Sequence, residues 1–443
     1  MSTLRLAFYG DDFTGSTDAL EQLEQHGLRT MLFLEPPTPA QLKRFPRLQA
    51  VGVAGLTRSM APAAMARELR PAFKKLKALG APHVHYKICS TFDSSPAIGN
   101  LGCVLDVGTA VFRAPLVPLL VAAPALGRHC VFGTLFARFG IGSAGAIHRL
   151  DRHPAISRHP VTPMQEADLR LHLAQQTTRN IELFDILKLA LPLPAARAAL
   201  AELVAGKSTV VLFDALYEEQ MGRLGALLDG YASAQRPLFS MGSSGIEMAL
   251  GAHWNQRRRV PRSARPVSQI LVGSGSCSPV TEKQMAWGLK HGMAEVALDA
   301  ARLASGKRAP AELQRATAAA VEFLRAGRSV LVHTTRSGSD RRLAVALKQQ
   351  TAPLLGTALG VVLRGALAQV PVPRLCIAGG DTSSFAARAM GLKALALIAP
   401  LTPGAPLCRA FAPGSPADGL EVVFKGGQVG AEHYFDMVKH GSI

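Results

Sequence analysis

The amino-acid sequence predicts an α/β protein of two α/β domains with largely parallel sheets, its ligand sites facing the cleft between them. Three observations lead there. Short apolar runs alternate with helical patterns from residue 4 onwards, as they do when parallel strands are joined by crossover helices. The alternation lapses over residues 252–266, where Pro and Arg replace the apolar period, and then resumes. At 443 residues the chain also exceeds one ordinary domain.

The elements follow in order. Residues 4–9 form an apolar run ending in Gly10, Asp11 and Asp12, and a helical pattern over 18–26 stops at Gly27. A second run at 30–34 breaks at Pro36 and Pro37, followed by a run at 50–54, a helix over 63–79 and a run at 83–88. Residues 209–213 and 237–240 read as strands, and 245–251 begins a short helix. Beyond the Pro- and Arg-rich stretch, 267–272, 329–333 and 374–378 read as strands with Ala-rich helices between them. The expected domains are 1–251 and 267–443, with 252–266 as linker.

Composition narrows the function. Hydrophobic residues make up 48% of the chain, which supports a large core and argues against wholesale disorder. No segment approaches the ~20 uninterrupted apolar residues of a membrane span. The N-terminus turns acidic too early for a signal peptide, so a soluble, cytoplasmic protein without membrane partners is expected. Six scattered cysteines without a C-x-x-C pair argue against a zinc ribbon or a disulfide framework. The 49 basic and 31 acidic residues give a net charge of +18. Nucleic-acid-binding faces interleave clustered charge with aromatics, yet aromatics are 6% here. The dense cluster Arg257, Arg258, Arg259, Arg262 and Arg265 reads as a solvated basic linker. Positive charge also gathers anionic small molecules. Non-catalytic nucleic-acid binding is therefore kept only as an alternative.

In the second half one turn type recurs after strands: residues 273–278, then 379–383, then 425–430. Glycines let the backbone approach an anion, and the N–H groups and positive end of a following helix attract it. Three such turns in one domain favour a nucleotide site over mere capping. No G-x-x-x-x-G-K-[ST] occurs, which excludes a P-loop enzyme. A formal G-x-G-x-x-G at Gly140, Gly142 and Gly145 meets Pro154 and Pro160 before any crossover helix. It reads as a flexible loop and supports only the other alternative, an NAD(P)-dependent oxidoreductase. The prolines also keep His148, His153 and His159 from helical i, i+4 presentation, so no metal site is expected there.

In the first half, Asp11 and Asp12 end a strand, Arg58 follows a second and Lys87 ends a third, with Ser90, Thr91, Asp93, Ser94 and Ser95 beyond it. Cations for a carboxylate, and carboxylates for hydroxyls or for general-base work, describe a sugar-acid site. The alternative for the aspartates is capping of the following helix.

These motifs, in this order, make the chain resemble the four-carbon acid sugar kinase family along most of its length. The segment from Asp11 to Asp18 is similar to the family's A-D-D-L-T-G-A-x-D, and Thr57-Arg58-Ser59 to its S-R element. Residues 121–128 resemble P-A-x-P-x-x-G-R, and Ser274 to Gln284 resemble S-G-S-x-S-x-x-T-x-x-Q. Residues 379–383 and 425–430 match its remaining nucleotide motifs. The resemblance implies an ATP-dependent kinase acting on a hydroxyl of a short sugar acid such as 3-oxo-tetronate, threonate or erythronate, with Mg²⁺. Substrate contacts would be Asp11, Asp12, Arg58, Lys87, Ser90 and Asp93, with Asp11, Asp12 and Lys87 catalytic. ATP contacts would be Ser274, Ser276, Gly379, Gly380, Asp381, Thr382, Gly426 and Gly427, with Asp381 as the magnesium candidate. A homodimer is among the open options. The chain departs from the family's K-x-D-S-T-L-R-G-N: Cys89 stands at the aspartate and Asp93 at the arginine. That change points to an altered acceptor, including a branched one such as 3-oxo-isoapionate. The phosphorylated hydroxyl and the identity of the base are not legible at this level.

Overall fold

A computed structural model describes residues 4–140, 145–159, 161–205, 209–254, 263–335 and 351–441. Gly142, Arg257, Arg258, Arg259 and Arg262, with most of the expected linker, lie outside the described residues. The described chain divides into two compact units. The first runs to Trp254 apart from Leu32–Leu34 and Gly140, which belong with the second, and the second continues from Ser263.

In chain order the strands of the N-terminal part are β1 (Leu6–Gly10), β2 (Thr30–Phe33), β3 (Ala50–Ala54), β4 (His83–Lys87) and β5 (Leu116–Leu120). They continue with β6 (Arg128–Val131), β7 (Thr134–Arg138), β8 (Ile147–Arg149), β9 (Ile181–Phe184), β10 (Thr209–Phe213) and β11 (Leu238–Gly242). Within the first unit the main sheet runs β3-β1-β4-β11-β5-β10-β9, every pair parallel. Runs such as 6–10, 50–54 and 209–213 are buried throughout, as expected of parallel strands covered on both faces. The antiparallel sheet β6-β7-β8 was not anticipated, because its strands are only three to five residues long and carry few apolar residues. The helix Phe13–Gln25 begins ahead of the apolar pattern at 18: Asp12 caps it, accepting from the Gly15 N–H at 2.8 Å.

The second unit adds β12 (Ile270–Ser274), β13 (Ala294–Ala297), β14 (Val330–His333), β15 (Arg374–Ala378), β16 (Ala394–Thr402), β17 (Ala405–Phe411) and β18 (Glu421–Lys425). The order is β13-β14-β12-β15-β18-β17-β16. Its first five strands are parallel, while the hairpin β16–β17 joins antiparallel and ends on Leu32 and Phe33. Ile270, Val272, Leu331, Cys376 and Val423 of the sheet pack with Met285, Tyr434, Phe435 and Val438 from helices. The helix after β15 spans Gly380–Ala389, so the turn expected over 379–383 is already its first turn. Among the described residues no helix is long and apolar enough to cross a membrane.

Arg374, buried at the start of β15, ties the second unit's lower edge together. It donates to Glu421 Oε2 from Nε (2.9 Å) and Nη2 (2.6 Å), and to the carbonyls of Val438 (2.5 Å) and Arg265 (2.8 Å). Removing one partner of a buried ion pair leaves the rest uncompensated. Arg374→Ala should therefore lower unfolding stability by about 3 kcal/mol, read as a fall in the urea midpoint; an unchanged midpoint would show the ties to be dispensable.

Candidate functional site

In the first unit, register sets the site. Gly10 pairs with Ala54 on one side and Lys87 on the other, and Lys87 pairs with Gly242. The residues beyond these strands emerge side by side at the carboxyl edge, where open α/β sheets bind ligands. Asp11, Asp12, Arg58 and Lys87 are brought together there.

Asp12 is engaged on both oxygens. Oδ1 accepts from the Gly15 N–H, and Oδ2 accepts from the Thr14 hydroxyl (2.8 Å) and from Arg58 Nη2 (2.5 Å). Burial opposes its charge, but Arg58, then Lys87, and these hydrogen bonds outweigh burial and hold its carboxyl below the usual range. Asp11 differs. Its Oδ1 is buried with no hydrogen-bond partner among the described residues, and burial, opposed by Arg58 and assisted by Asp12, pushes its pKa up to about 7. Two adjacent carboxyls thus have opposite characters, the pattern that separates a general base from a structural charge.

The Lys87 side chain is 2% exposed, and its Nζ donates to the Ile88 carbonyl at 3.0 Å, with Asp18 Oδ2 at 3.8 Å. Burial would discharge it, yet Asp18, Asp11 and Asp12 hold its pKa above the ordinary value. A Cβ on Gly15 would lie 2.9 Å from Nζ and 2.5 Å from Asp12 Oδ1, so the ammonium fits there only because residue 15 has no side chain.

The loop after β4 is folded over this group. Thr91 Oγ1 donates to Asp93 Oδ1 at 2.7 Å and lies 2.9 Å from Cys89 Sγ. Asp93 faces inward, its side chain 10% exposed and its Oδ2 4.0 Å from Arg58 Nη1. Cys89 is a thiol, pushed up to about 12 by burial and then by Asp93. Ser90 is buried. Ser94 contacts His172 and Gln176 (3.1 and 2.9 Å) and Ser95 bonds within its own turn, which assigns both to loop structure. Arg58, expected to clamp a carboxylate, already holds Asp12.

Three further residues of this neighbourhood were not anticipated as site residues. Arg128 is buried, with Nη1 donating to the carbonyls of Leu126, Gly127 and Arg138; burial lowers its pKa although Cys89, Asp93 and Asp18 act against this. Glu247 is fully buried, burial raises its pKa to about 8, and its Oε1 lies 3.7 Å from His85 Nε2. His85 is held neutral, at about 3, by burial and by Lys87. The only sequence signal for Glu247 was its position in the first turn after β11.

In the second unit Ser274, Ala378 and Lys425 sit opposite one another at the ends of β12, β15 and β18. Their turns therefore meet. A Cβ on Gly275 would lie 2.4 Å from Thr382 Oγ1, and one on Gly427 would lie 2.8 Å from Ser276 Oγ. Gly379 adopts φ +116° before the helix starting at Gly380, a conformation that favours glycine. The first N–H groups of that helix have no intrahelical acceptor, and the Ser274 hydroxyl is buried without a hydrogen-bond partner among the described residues. Donors and absent side chains together make a cradle suited to phosphate oxygens. Gly380, Gly426, Gly427, Ser276 and Thr382, expected as ATP contacts, belong to these turns. The side chain of Asp381, the expected magnesium ligand, lies outside the described residues. No group of His, Cys, Asp or Glu among the described residues is built to hold a metal by itself. A cation carried on a nucleotide needs only one or two protein carboxylates.

His153 Nδ1 accepts from the N–H groups of Ala155 and Ile156 (3.2 and 3.3 Å) and His159 Nδ1 from Thr162 N (3.1 Å), which assigns both to turns.

Residues 6–250 match the model of a sugar-binding N-terminal domain and residues 271–435 that of a nucleotide-binding C-terminal domain. The chain is 43% identical to a 3-oxo-isoapionate kinase of Paraburkholderia graminis, over 99% of this chain and 95% of that one. It is 32% identical to a 3-oxo-tetronate kinase of Methylobacterium radiotolerans, over 98% of each. A solved structure from Salmonella typhimurium LT2, described as a tRNA synthase, superposes with a TM-score of 0.74 at 25% identity and 98% coverage of both chains. A Haemophilus influenzae structure does so at 0.70 and 21%, over 98% of this chain and 99% of that one, a likeness of fold. Neither the oxidoreductase nor the nucleic-acid reading finds support among these relatives. With both domain models matched in order and along nearly the whole length, the chain belongs to the four-carbon acid sugar kinase family.

Proposed function

We propose that the protein transfers the γ-phosphoryl group of ATP to a hydroxyl of a short sugar acid held at the carboxyl edge of the first unit. The observation that carries this reading is Asp11: a buried strand-end carboxyl with an unpartnered oxygen and a pKa of about 7, beside a charged, fully desolvated lysine. A base poised near neutrality takes a proton from an alcohol effectively. Asp11 deprotonates the acceptor hydroxyl. Asp12, saturated by its cap and by Arg58, orients that charge pair. Lys87, an ammonium with three donors and one backbone acceptor within hydrogen-bond distance, stabilises the transferring phosphoryl. Ser90, Asp93 and Arg128 shape the acceptor end.

The cradle of the second unit holds ATP, through Ser274, Ser276, the amides of Gly379, Gly380 and Thr382, and Gly426 and Gly427. Mg²⁺, when bound with the nucleotide, would supply charge neutralisation, and Asp381 is the residue proposed to hold it. The Paraburkholderia relative makes 3-oxo-isoapionate the first acceptor to test, with 3-oxo-tetronate second. The inward Asp93, a hydroxyl acceptor where the family pattern carries an arginine, supports an acceptor unlike the common four-carbon acids. The test is ATP-dependent ADP release with both compounds, threonate and erythronate; no turnover with any short sugar acid would overturn the reading.

Because Asp11 must be ionised to accept a proton, kcat/KM should rise with pH through about 7 and level off above it. Asp11→Asn should abolish that limb and reduce kcat about 10²–10⁴-fold; a variant keeping the rising limb would acquit Asp11.

The two aspartates should also separate by stability. A carboxyl whose folded pKa is raised destabilises the fold progressively as pH climbs from its unfolded value to about 7. Asp11→Asn should therefore melt higher than the unsubstituted protein at pH 8, by a margin that shrinks at pH 5. Asp12 has a lowered pKa, so its contribution is present above the ordinary carboxylate range and is lost on acidification. Asp12→Ala should lose about 2 kcal/mol at pH 8 through cap and ion pair, measured by thermal or urea unfolding.

A further inference from the structure

The cradle's third side, residues 426–431, contains glycines and no regular element, yet its carbonyls are held almost one by one. Gln284 is fully buried in the helix Pro279–Lys290 and points its amide at this loop. Its Nε2 lies 3.0 Å from the Val429 carbonyl, 3.0 Å from that of Gly430 and 2.9 Å from that of Ala431. Three consecutive carbonyls converge on one nitrogen. Thr281, one helical turn earlier on the same face, donates its hydroxyl to the Gly427 carbonyl at 2.8 Å. It also accepts from Lys425 Nζ at 2.9 Å. Lys425, the last residue of β18, is fully buried and lies 5.6 Å from the Tyr434 ring centre. A Cβ on Gly430 would lie 2.1 Å from that same ring, so Tyr434 braces the far end of the loop.

The consequence follows from peptide geometry. In a trans peptide the carbonyl of one residue and the N–H of the next point in opposite directions. Carbonyls 427, 429, 430 and 431 are drawn toward the helix, so the N–H groups of Gln428, Gly430, Ala431 and Glu432 are turned away from it. Carbonyls that converge on one nitrogen leave their opposed N–H groups fanned outward, and Gly427, whose carbonyl Thr281 holds, closes against Ser276. We infer that Gln284 and Thr281 are positioning residues for the nucleotide: they touch no phosphate, but by holding the carbonyls of 427 and 429–431 they fix this loop where Gly427 meets Ser276 at the cradle. The inference rests on the ATP reading of this cradle. It explains a glutamine that is wholly buried with its Oε1 lacking a hydrogen-bond partner among the described residues, since the amide is used for its donors.

The test is direct ATP binding by calorimetry on the full chain, without turnover. Gln284→Glu keeps the shape but replaces the donor with an acceptor facing three carbonyls. It should weaken ATP at least about tenfold while sugar-acid affinity changes less than about twofold. Thr281→Val, equal in shape but without the hydroxyl, should weaken ATP several-fold, and Thr281→Ser should restore it. Wild-type ATP affinity in a folded Gln284→Glu variant overturns the inference, as does equal loss of ATP and sugar-acid affinity. If Gln284→Glu does not fold, the Val and Ser pair at 281 decides by the same criteria. Failure of the unsubstituted protein to bind ATP would instead overturn the kinase reading, and the two failures are distinct.

Discussion

Parallel strands that end level with one another force whatever follows them onto a single edge of the sheet. Everything functional in this chain depends on that constraint. Gly10, Ala54, Lys87 and Gly242 end opposite one another in the first unit, and His333, Ser274, Ala378 and Lys425 in the second. A one-residue slip in any of these pairings would turn a side chain to the other face of the sheet. The buried, apolar strand interiors are what prevent the slip, so the hydrophobic core and the chemistry are set by the same register.

The two edges use this constraint differently. The first presents charged side chains in a dry setting, where burial costs each ion heavily unless neighbours compensate. Arg58 offsets Asp12, and Asp18, Asp11 and Asp12 together hold Lys87 charged. Asp11 is left as the group whose charge is least supported, which places its titration near neutrality. The second edge presents backbone. Its donors come from glycine turns and a helix start, where absent Cβ atoms leave the backbone open and Gln284 holds three carbonyls of one turn. A sugar acid needs discrimination among hydroxyls and a carboxylate, which side chains supply. Triphosphate recognition needs many donors in a small space, which backbone supplies.

Asp12 shows how capping and function combine in one residue. Its backbone position makes it the first cap of the helix Phe13–Gln25, and its second oxygen receives Arg58. The adjacent aspartates differ in engagement: Asp12 uses both oxygens on Gly15, Thr14 and Arg58, while Asp11 Oδ1 has no hydrogen-bond partner among the described residues. The loop carrying Cys89 and Asp93 likewise turns inward, where Thr91 links them into one hydrogen-bonded unit.

Much of the fold was legible from the chain alone. Apolar runs at 50–54, 209–213 and 374–378 marked strands to the residue, because a strand buried on both faces needs an unbroken apolar stretch. Glycine turns after strands marked the cradle, because close approach of backbone to an anion leaves a compositional trace. The hairpin β16–β17, the sheet β6-β7-β8 and the helix start at Gly380 left no such trace, although the hairpins pair locally, Thr402 with Ala405 and Val131 with Thr134. The roles within the sites were also beyond the sequence. Asp11 and Asp12 are chemically identical side chains, and only their burial and their neighbours Arg58, Thr14 and Gly15 give them different charges. Gln284 closed a family motif without a role attached, and Glu247 read as an ordinary helix residue, until folding places one against three carbonyls and buries the other beside His85, because electrostatic environment and donor direction depend on distances that no spacing along the chain encodes.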